Sequence, residues 1–518
     1  MDFLPLIIII VYLVVTTAIG SMLARKATTS RQWTVAGGGM GVVMVAVGIA
    51  GTRIGGASTY GVAGNVIGGG MWYAWWYGIN TFLALAIVGA FFAVPYRRLE
   101  LQTVGEIFTL RFDSRRNQVL TSLCVQTEYF IVNLIEAYVI GTILRALTGM
   151  PMEYAVFIAA IILITYTSLG GLWGTAVTNL IHCAVIFFGL LIIGVAGIYH
   201  LDGWDATVDR VNAHLASAGK NETQWWSFFG GGFGAILGMF FSAAIHTPAA
   251  SIYTNFSTAA KSQKVILPAF LLGGFIGGLM PILAGLIGME TLARYGFDVG
   301  LSGYTNITQL PTEISPFIGG LALAAILAAV ISSGGPILLS SSTMFVRDWL
   351  PFTRDYTPTG KLLAYRITTV VYGLIAAVMA YITALTAISL LDLLLFGFAM
   401  VVPPAIAAGY LIYWRRTTEP AAYWGMVLGY TGGLIWYAII RYAVGIGFTV
   451  EEGAPFGERL FHYLFVNRGK GIDPSYITTL IPLISIPIIS LLTREDLERK
   501  DAFYAVVRGE KERSALGA

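Results

Sequence analysis

The chain has 518 residues, 56% of them hydrophobic and 11% charged, with a formal net charge of +3 and a mean hydropathy of +0.75. No soluble globular domain of this length is so apolar, so the sequence reads as a polytopic membrane protein set in a lipid bilayer. Its small net charge, spread over many short loops, excludes a nucleic-acid partner. Its two cysteines, Cys124 and Cys183, both lie in apolar segments and exclude a disulfide framework or a metal cluster.

Leu4 to Leu23 forms the first apolar run. It follows Asp2 with no basic residue and no cleavage site, which predicts a retained helix and not a signal peptide. Apolar stretches of about 18 residues or more predict thirteen spans, near 4–24, 40–66, 71–96, 118–148, 152–169, 174–200, 228–254, 263–290, 313–346, 362–386, 388–413, 421–444 and 474–493. If spans alternate, Arg25, Lys26 and Arg31, then Arg97, Arg98, Arg111, Arg115 and Arg116, then Lys261 and Lys264, then Arg415 and Arg416, and the tail from Arg494 all fall on one side. The positive-inside rule makes that side cytoplasmic, with the N-terminus outside and the C-terminus inside a cell (inner) membrane. Leu101 to Phe112 is too short and polar to span, and reads as a short helix on the cytoplasmic face. After Thr493 the chain is rich in Glu, Lys and Arg. It reads as a solvated helix or frayed end without chemistry, too short for a signalling output domain.

Between Val45 and Gly64 an otherwise membrane-like run carries several glycines and Arg53. Each glycine forfeits roughly 1 kcal/mol of helix propensity against alanine, and a guanidinium in hydrocarbon costs at least ~2.5 kcal/mol. The combination predicts a broken helix whose freed backbone groups line an ion or solute site. The seventh span repeats the pattern with glycines and Pro248, which removes a backbone donor. Two interrupted helices, each opening a group of five spans, point to an inverted repeat with a midplane site. The repeats would occupy 40–200 and 228–413, after a leading helix at 4–24 and before trailing helices at 421–493 and the tail at 494–518. In the ninth span Ser332 and Ser333 lie one turn beyond Ala329, where two hydroxyls and a helix carbonyl can converge on a hard cation such as Na+. Membrane-helix serines also commonly bond back to a carbonyl.

Three stretches resemble the sodium:solute symporter family, which includes bacterial proline, sialic acid and galactose carriers. The first is Thr103, Glu106, Arg111 and Phe112. The second is Tyr166 to His182, YTSLGGLWGTAVTNLIH, and the third is Leu327 to Asp348, LAAVISSGGPILLSSSTMFVRD. The resemblance implies an all-α, LeuT-like fold of about thirteen transmembrane helices, a five-plus-five inverted repeat with one leading and two trailing helices. It also implies a Na+ site made by the carbonyls of Gly51, Ile54 and Ala329 and the hydroxyls of Ser332 and Ser333. Asn179 stands where the family usually has Asp and His182 where it has Gln, both on the implied inner ion path. Gly335 and Pro336 replace a more usual polar pair.

Arg53 is the largest departure. A unit charge about 6 Å from Na+ at an effective dielectric near 20 repels it by roughly 3 kcal/mol, about a hundredfold in affinity. Three arrangements remove that repulsion. Arg53 pairs with Glu128 or Glu136, eight residues apart and so about 80° apart round the fourth span; it meets an anionic group of the solute; or it occupies the place of the ion. His246, beside Pro248, is either a solute ligand or proton carrier, or a neutral histidine bonded to a freed carbonyl. His182 is expected to cap the inner end of the sixth span. Trp72, Tyr73, Trp75, Trp76 and Tyr77 form either an interfacial belt or an outer gate or cage for a quaternary ammonium. Arg53, Ser58, Glu128, Glu136, His246 and Trp72 make the candidate solute-binding set.

The resulting expectation is a secondary active transporter. A Na+ gradient imports a small polar organic solute, carboxylate-bearing or zwitterionic because Arg53 offers a bidentate partner. The alternatives are a proton-coupled or ion-independent exchanger with Arg53 as resident cation, or a carrier of an amine or betaine. An enzyme is disfavoured, since the sequence has no HExxH, paired Ser/His/Asp arrangement or phosphate loop, and no obligate protein partner is inferred.

Overall fold

The computed structural model describes residues 3–24, 30–297, 304–385, 389–451, 453–466, 471–495 and 497–517. Arg25 and Lys26, used above for orientation, lie outside them. Among the described residues, ten helices are long and apolar enough to cross a bilayer singly, and the bent pair Val42–Arg53 and Ala57–Gly69 makes an eleventh. The leading helix, Leu4–Ala24, has 21 residues, about 31 Å at 1.5 Å per residue. The fifth and sixth spans share one helical run, Met152–His200, with apolar segments Met152–Thr167 and Leu172–His200. Against thirteen predicted spans, ten or eleven reach full length, the other two being the shorter apolar segments Leu4–Gly20 and Met152–Thr167.

The most buried span is the ninth, Pro316–Trp349. It packs against the first and fourth spans and the helix Met152–His200 that carries the fifth and sixth, and touches the second at its break. Small residues permit the close crossings that membrane helices need in place of a hydrophobic driving force. At Gly78 in the third span, an added Cβ would lie 2.5 Å from the Gly278 carbonyl oxygen in the eighth, Gln263–Tyr295. Backbone meets backbone there, so only glycine fits.

Both interruptions form. Val42–Arg53 stops because Ile54 turns extended (φ −95°, ψ 100°), and the chain resumes as a π-helical turn at Ala57–Gly61, bent by 61°. The seventh span runs Gly232–Phe240, passes through a π turn and the Pro248 turn, and restarts at Ser251–Ala259 after an extended Ala250. The freed groups are satisfied from outside. Tyr96 donates to the Pro248 carbonyl at 2.7 Å, and the Ile252 N–H donates to the Tyr129 hydroxyl at 2.7 Å.

The expected short helix forms as Glu106–Phe112, with Ile107, Phe108, Leu110, Arg111 and Phe112 buried in the protein. One expectation about the polar segments needs correction: the tail is not simply solvated or frayed. Lys500–Arg508 is an amphipathic helix whose Phe503, Tyr504 and Val506 are buried, and it is pinned by Tyr504 to the Leu411 carbonyl (2.8 Å) and Arg98 to the Val507 carbonyl (2.7 Å). Apolar residues spaced among its charges supply the reason: one stripe buries while the charges stay wet.

Candidate functional site between the broken helices

The break in the second span, the fourth span (Arg115–Thr148) and the ninth span meet at one polar cluster. Ser332 Oγ lies 3.0 Å from the Gly51 carbonyl oxygen, 3.3 Å from that of Ile54 and 2.8 Å from that of Ala329. Ser333 Oγ is 3.2 Å from the same Ala329 oxygen. One hydroxyl proton cannot serve three carbonyls at once, so the cluster holds a surplus of lone pairs, the donor set a hard monovalent cation demands. All five oxygens named from the sequence converge.

Glu136 stands directly behind them. Its Oε1 accepts from Ser333 Oγ at 2.6 Å and its Oε2 from the Gly56 N–H at 2.9 Å. A Cβ on Gly55 would sit 2.2 Å from Glu136 Oε1 and 2.6 Å from Ser333 Oγ, so that contact requires a glycine. Ser58 serves the break itself, accepting from the Gly55 N–H at 2.7 Å and lying 2.9 Å from the Gly55 carbonyl oxygen. Asn179 buttresses the cluster from the sixth span, its Nδ2 3.2 Å from the Gly48 carbonyl oxygen and 3.3 Å from that of Ser332. Its Oδ1 has no hydrogen-bond partner. An aspartate here would present only acceptors; the amide donates to the same carbonyls.

Arg53 makes neither ion pair considered from the sequence: among the described residues it bridges neither Glu128 nor Glu136 at ion-pair distance. It turns instead to the seventh span, donating to the Ala243 carbonyl at 2.5 Å, approaching His246 Nε2 at 3.4 Å, and lying over the Phe398 ring with 4.9 Å to its centroid. No bond ties it to the five-oxygen cluster. A guanidinium only donates, so His246 accepts at Nε2 and carries its proton on Nδ1, 2.5 Å from the Ser242 carbonyl oxygen. The imidazole stacks on Phe398 with ring centroids 4.0 Å apart. Glu128 Oε1 is 3.9 Å from His246 Nε2, and Glu128 Oε2 has no hydrogen-bond partner.

Arg53, Ser58, Glu128, Glu136, Ser333 and Phe398 line one narrow cavity of about 30 Å³, with Tyr77 and Tyr253. Phe398 and Tyr253 escape notice in the sequence, where each is one aromatic among many, whereas Tyr77 stands out there only as a member of the aromatic cluster. Trp72 is not at this cavity: its ring packs on Gly231, its indole N–H donates to the Gly69 carbonyl, and its neighbour Trp76 holds the Phe228 carbonyl. Trp72 thus lies apart from this cavity, covered together with Trp76 by the loop before the seventh span. His182 is not a cap either. It is buried within the Leu172–His200 segment, where it meets Tyr12 of the leading helix and the Tyr166 hydroxyl, 3.1 Å from Nε2.

The motif residues flanking the site also meet. Thr103 and Gln118 both donate to Asp348 Oδ1, at 2.9 and 2.7 Å, and Glu106 pairs with Arg347. These contacts tie the segment after the third span to the end of the ninth.

The sequence profile of the sodium:solute symporter family matches residues 33–429. The chain belongs to the sodium:solute symporter family. A curated relative, the sodium/proline symporter of Staphylococcus aureus (strain bovine RF122 / ET3-1), is 24% identical over 452 residues, 84% of this chain and 86% of the relative. Among solved structures, a Na+-coupled sialic acid symporter in a substrate-bound outward-open state superposes with a TM-score of 0.71 at 20% identity, over 95% of this chain and 99% of that one. MhsT in complex with L-phenylalanine superposes at 0.55 and 13% identity, over 87% of this chain and 98% of that one. These neighbours share the LeuT-like inverted-repeat fold, so this family member is an all-α, multi-pass protein with that architecture.

Proposed function

We propose that the protein is a Na+-coupled symporter of a small zwitterionic, amino-acid-like solute. Na+ would be held by the carbonyls of Gly51, Ile54 and Ala329 and the hydroxyls of Ser332 and Ser333. The observation that carries this reading is the convergence of those five oxygens with the Arg53 guanidinium directed elsewhere. An arginine standing in for the ion would bond into that cluster, so the direction of Arg53 favours a bound ion over the ion-independent alternative. Glu136 orients the Ser333 hydroxyl, leaving its lone pairs free for the ion, and in its ionised form would offset Arg53.

The solute reading rests on the cavity's paired charges. Arg53 offers a fork to a carboxylate, and the unpartnered Glu128 Oε2 offers an acceptor to an ammonium. Phe398, Tyr77 and Tyr253 provide the apolar wall. A cavity of about 30 Å³ holds no more than a water-sized body, so the solute binds a conformation in which these side chains stand back. The two repeats, 40–200 and 228–413, would rock about the site. The basic loops and tail would face the cytoplasm, with Asn179 and His182 on the inner side of the ion path.

A thermal-shift screen of the purified protein against amino acids, betaines, amines, carboxylates and sugars, each in sodium and in choline buffer, tests this reading. Zwitterionic amino acids should stabilise the protein, and more strongly in sodium. Stabilisation by amines or betaines alone would shift the solute class, and solute binding indifferent to Na+ would overturn the coupling.

A further inference from the structure

A second cavity, about 340 Å³, lies on the face that carries the tail, away from the broken helices. Glu106, Gln118, Arg347, Lys361, Tyr365 and Arg513 line it. Its three cations come from three separate segments: the end of the ninth span, the start of the tenth (Pro358–Ala384) and the turn Arg513–Leu516 after the tail helix. The one lining carboxylate, Glu106, is already engaged by Arg347 and by the Gln102 N–H at 2.9 Å. Asp348 stands behind Gln118, whose amide covers its Oδ1. Arg513 donates one N–H to the Glu100 carbonyl at 2.7 Å. Lys361 has no side-chain partner among the described residues. Three cations against one carboxylate leave the lining with two surplus positive charges, and the Tyr365 hydroxyl and Gln118 amide add neutral polar groups.

We propose that this cavity binds a phosphate group, with Lys361 and Arg513 as its principal ligands and Arg347 as a third. A phosphate carries one negative charge as a diester headgroup and about −1.5 to −2 as a monoester at neutral pH, with several acceptor oxygens in either form, so either offsets the surplus. Guanidinium forks and an ammonium are the side chains that hold it. The source is either the headgroup of an anionic phospholipid, for which basic pockets between membrane helices are typical sites, or a free phosphate compound. Because Arg513 belongs to the tail and Arg347 to the tie with Glu106, the bound anion joins the tail to the contacts closing this end of the bundle. Binding therefore favours the docked tail by mass action.

The full-length protein, in potassium salts without sodium or solute, supplies the test, which makes the result independent of the transport reading. One arm titrates inorganic phosphate against chloride at matched ionic strength in neutral detergent. The other compares phosphatidylcholine nanodiscs with and without phosphatidylglycerol, and both follow thermal stability. We expect saturable stabilisation in at least one arm. Lys361→Ala and Arg513→Gln should each weaken it about tenfold, and Lys361→Arg should retain it. Response to phosphate in detergent identifies a free ligand, and response only to phosphatidylglycerol identifies a lipid. Wild-type protein indifferent to both anions, or stabilisation untouched by both substitutions, would overturn the proposal.

Discussion

With Glu136 ionised, replacing it with glutamine removes one charge from behind the five-oxygen cluster and keeps an acceptor for either Ser333 or Gly56. Ser333 Oγ and Glu136 Oε1 are 2.6 Å apart. A cation touching that hydroxyl at roughly 2.4 Å therefore stands about 5 Å from the carboxylate. At an effective dielectric near 20 the lost attraction is roughly 3 kcal/mol, on the order of a hundredfold in Na+ affinity. Titrating NaCl against choline chloride at constant ionic strength, with thermal stability as the readout, measures it. The same titration on Arg53→Gln/Glu136→Gln should recover part of the loss, since the two charges act oppositely on the ion. An unchanged Na+ midpoint in Glu136→Gln, with the protein folded, would refute the reasoning by showing that the ion does not sit beside Ser333 or that Glu136 carries no charge there.

Arg53→Gln alone should tighten apparent Na+ binding about tenfold or more and abolish solute stabilisation in the same thermal-shift format; retained solute binding would remove Arg53 from the solute site. Glu106, nearly buried, is opposed in its ionised form by burial, yet Arg347 and the Gln102 N–H hold its carboxyl below the usual carboxylate range. A depressed folded-state pKa stabilises the protein above the unfolded value and is lost as pH falls through the folded one. Glu106→Gln should therefore lower stability at neutral pH and flatten the fall in melting temperature below about pH 4.5. Gly78→Ala, whose Cβ would meet the Gly278 carbonyl oxygen at 2.5 Å, should cost about 1–3 kcal/mol by overpacking, seen as a lower melting temperature in detergent.

The breaks were legible because their causes are local. Glycines around Ile54 and a proline at 248 weaken a helix wherever it packs, and the Ser332/Ser333 pair one turn beyond Ala329 follows from helix periodicity. The partners of Arg53 were not legible. Ala243, His246 and Phe398 come from the seventh and eleventh spans, and which helix faces meet is decided by packing among apolar residues of similar size. Glu136 was named from its depth, but its bonds to Ser333 and Gly56 depend on the break being open. The tail was misread although its signal was present: Phe503, Tyr504, Val506 and Val507 form an apolar stripe that charge counting hides. His182 was placed at a helix end by span counting, whereas the Leu172–His200 segment carries it as a mid-helix contact to Tyr12 and Tyr166.

The central claim is that Na+ at the Ser332/Ser333 cluster drives solute entry. Uptake of the solute identified by thermal shift, measured in proteoliposomes with an inward Na+ gradient and with choline in its place, tests it most directly in wild-type protein and Ser332→Ala. The account predicts accumulation in the wild type only with the Na+ gradient. In Ser332→Ala, loss of one oxygen ligand worth about 1–3 kcal/mol should raise the half-saturating Na+ concentration roughly ten- to a hundredfold. Equal uptake in sodium and choline, or an unaltered Na+ dependence in Ser332→Ala, would contradict it.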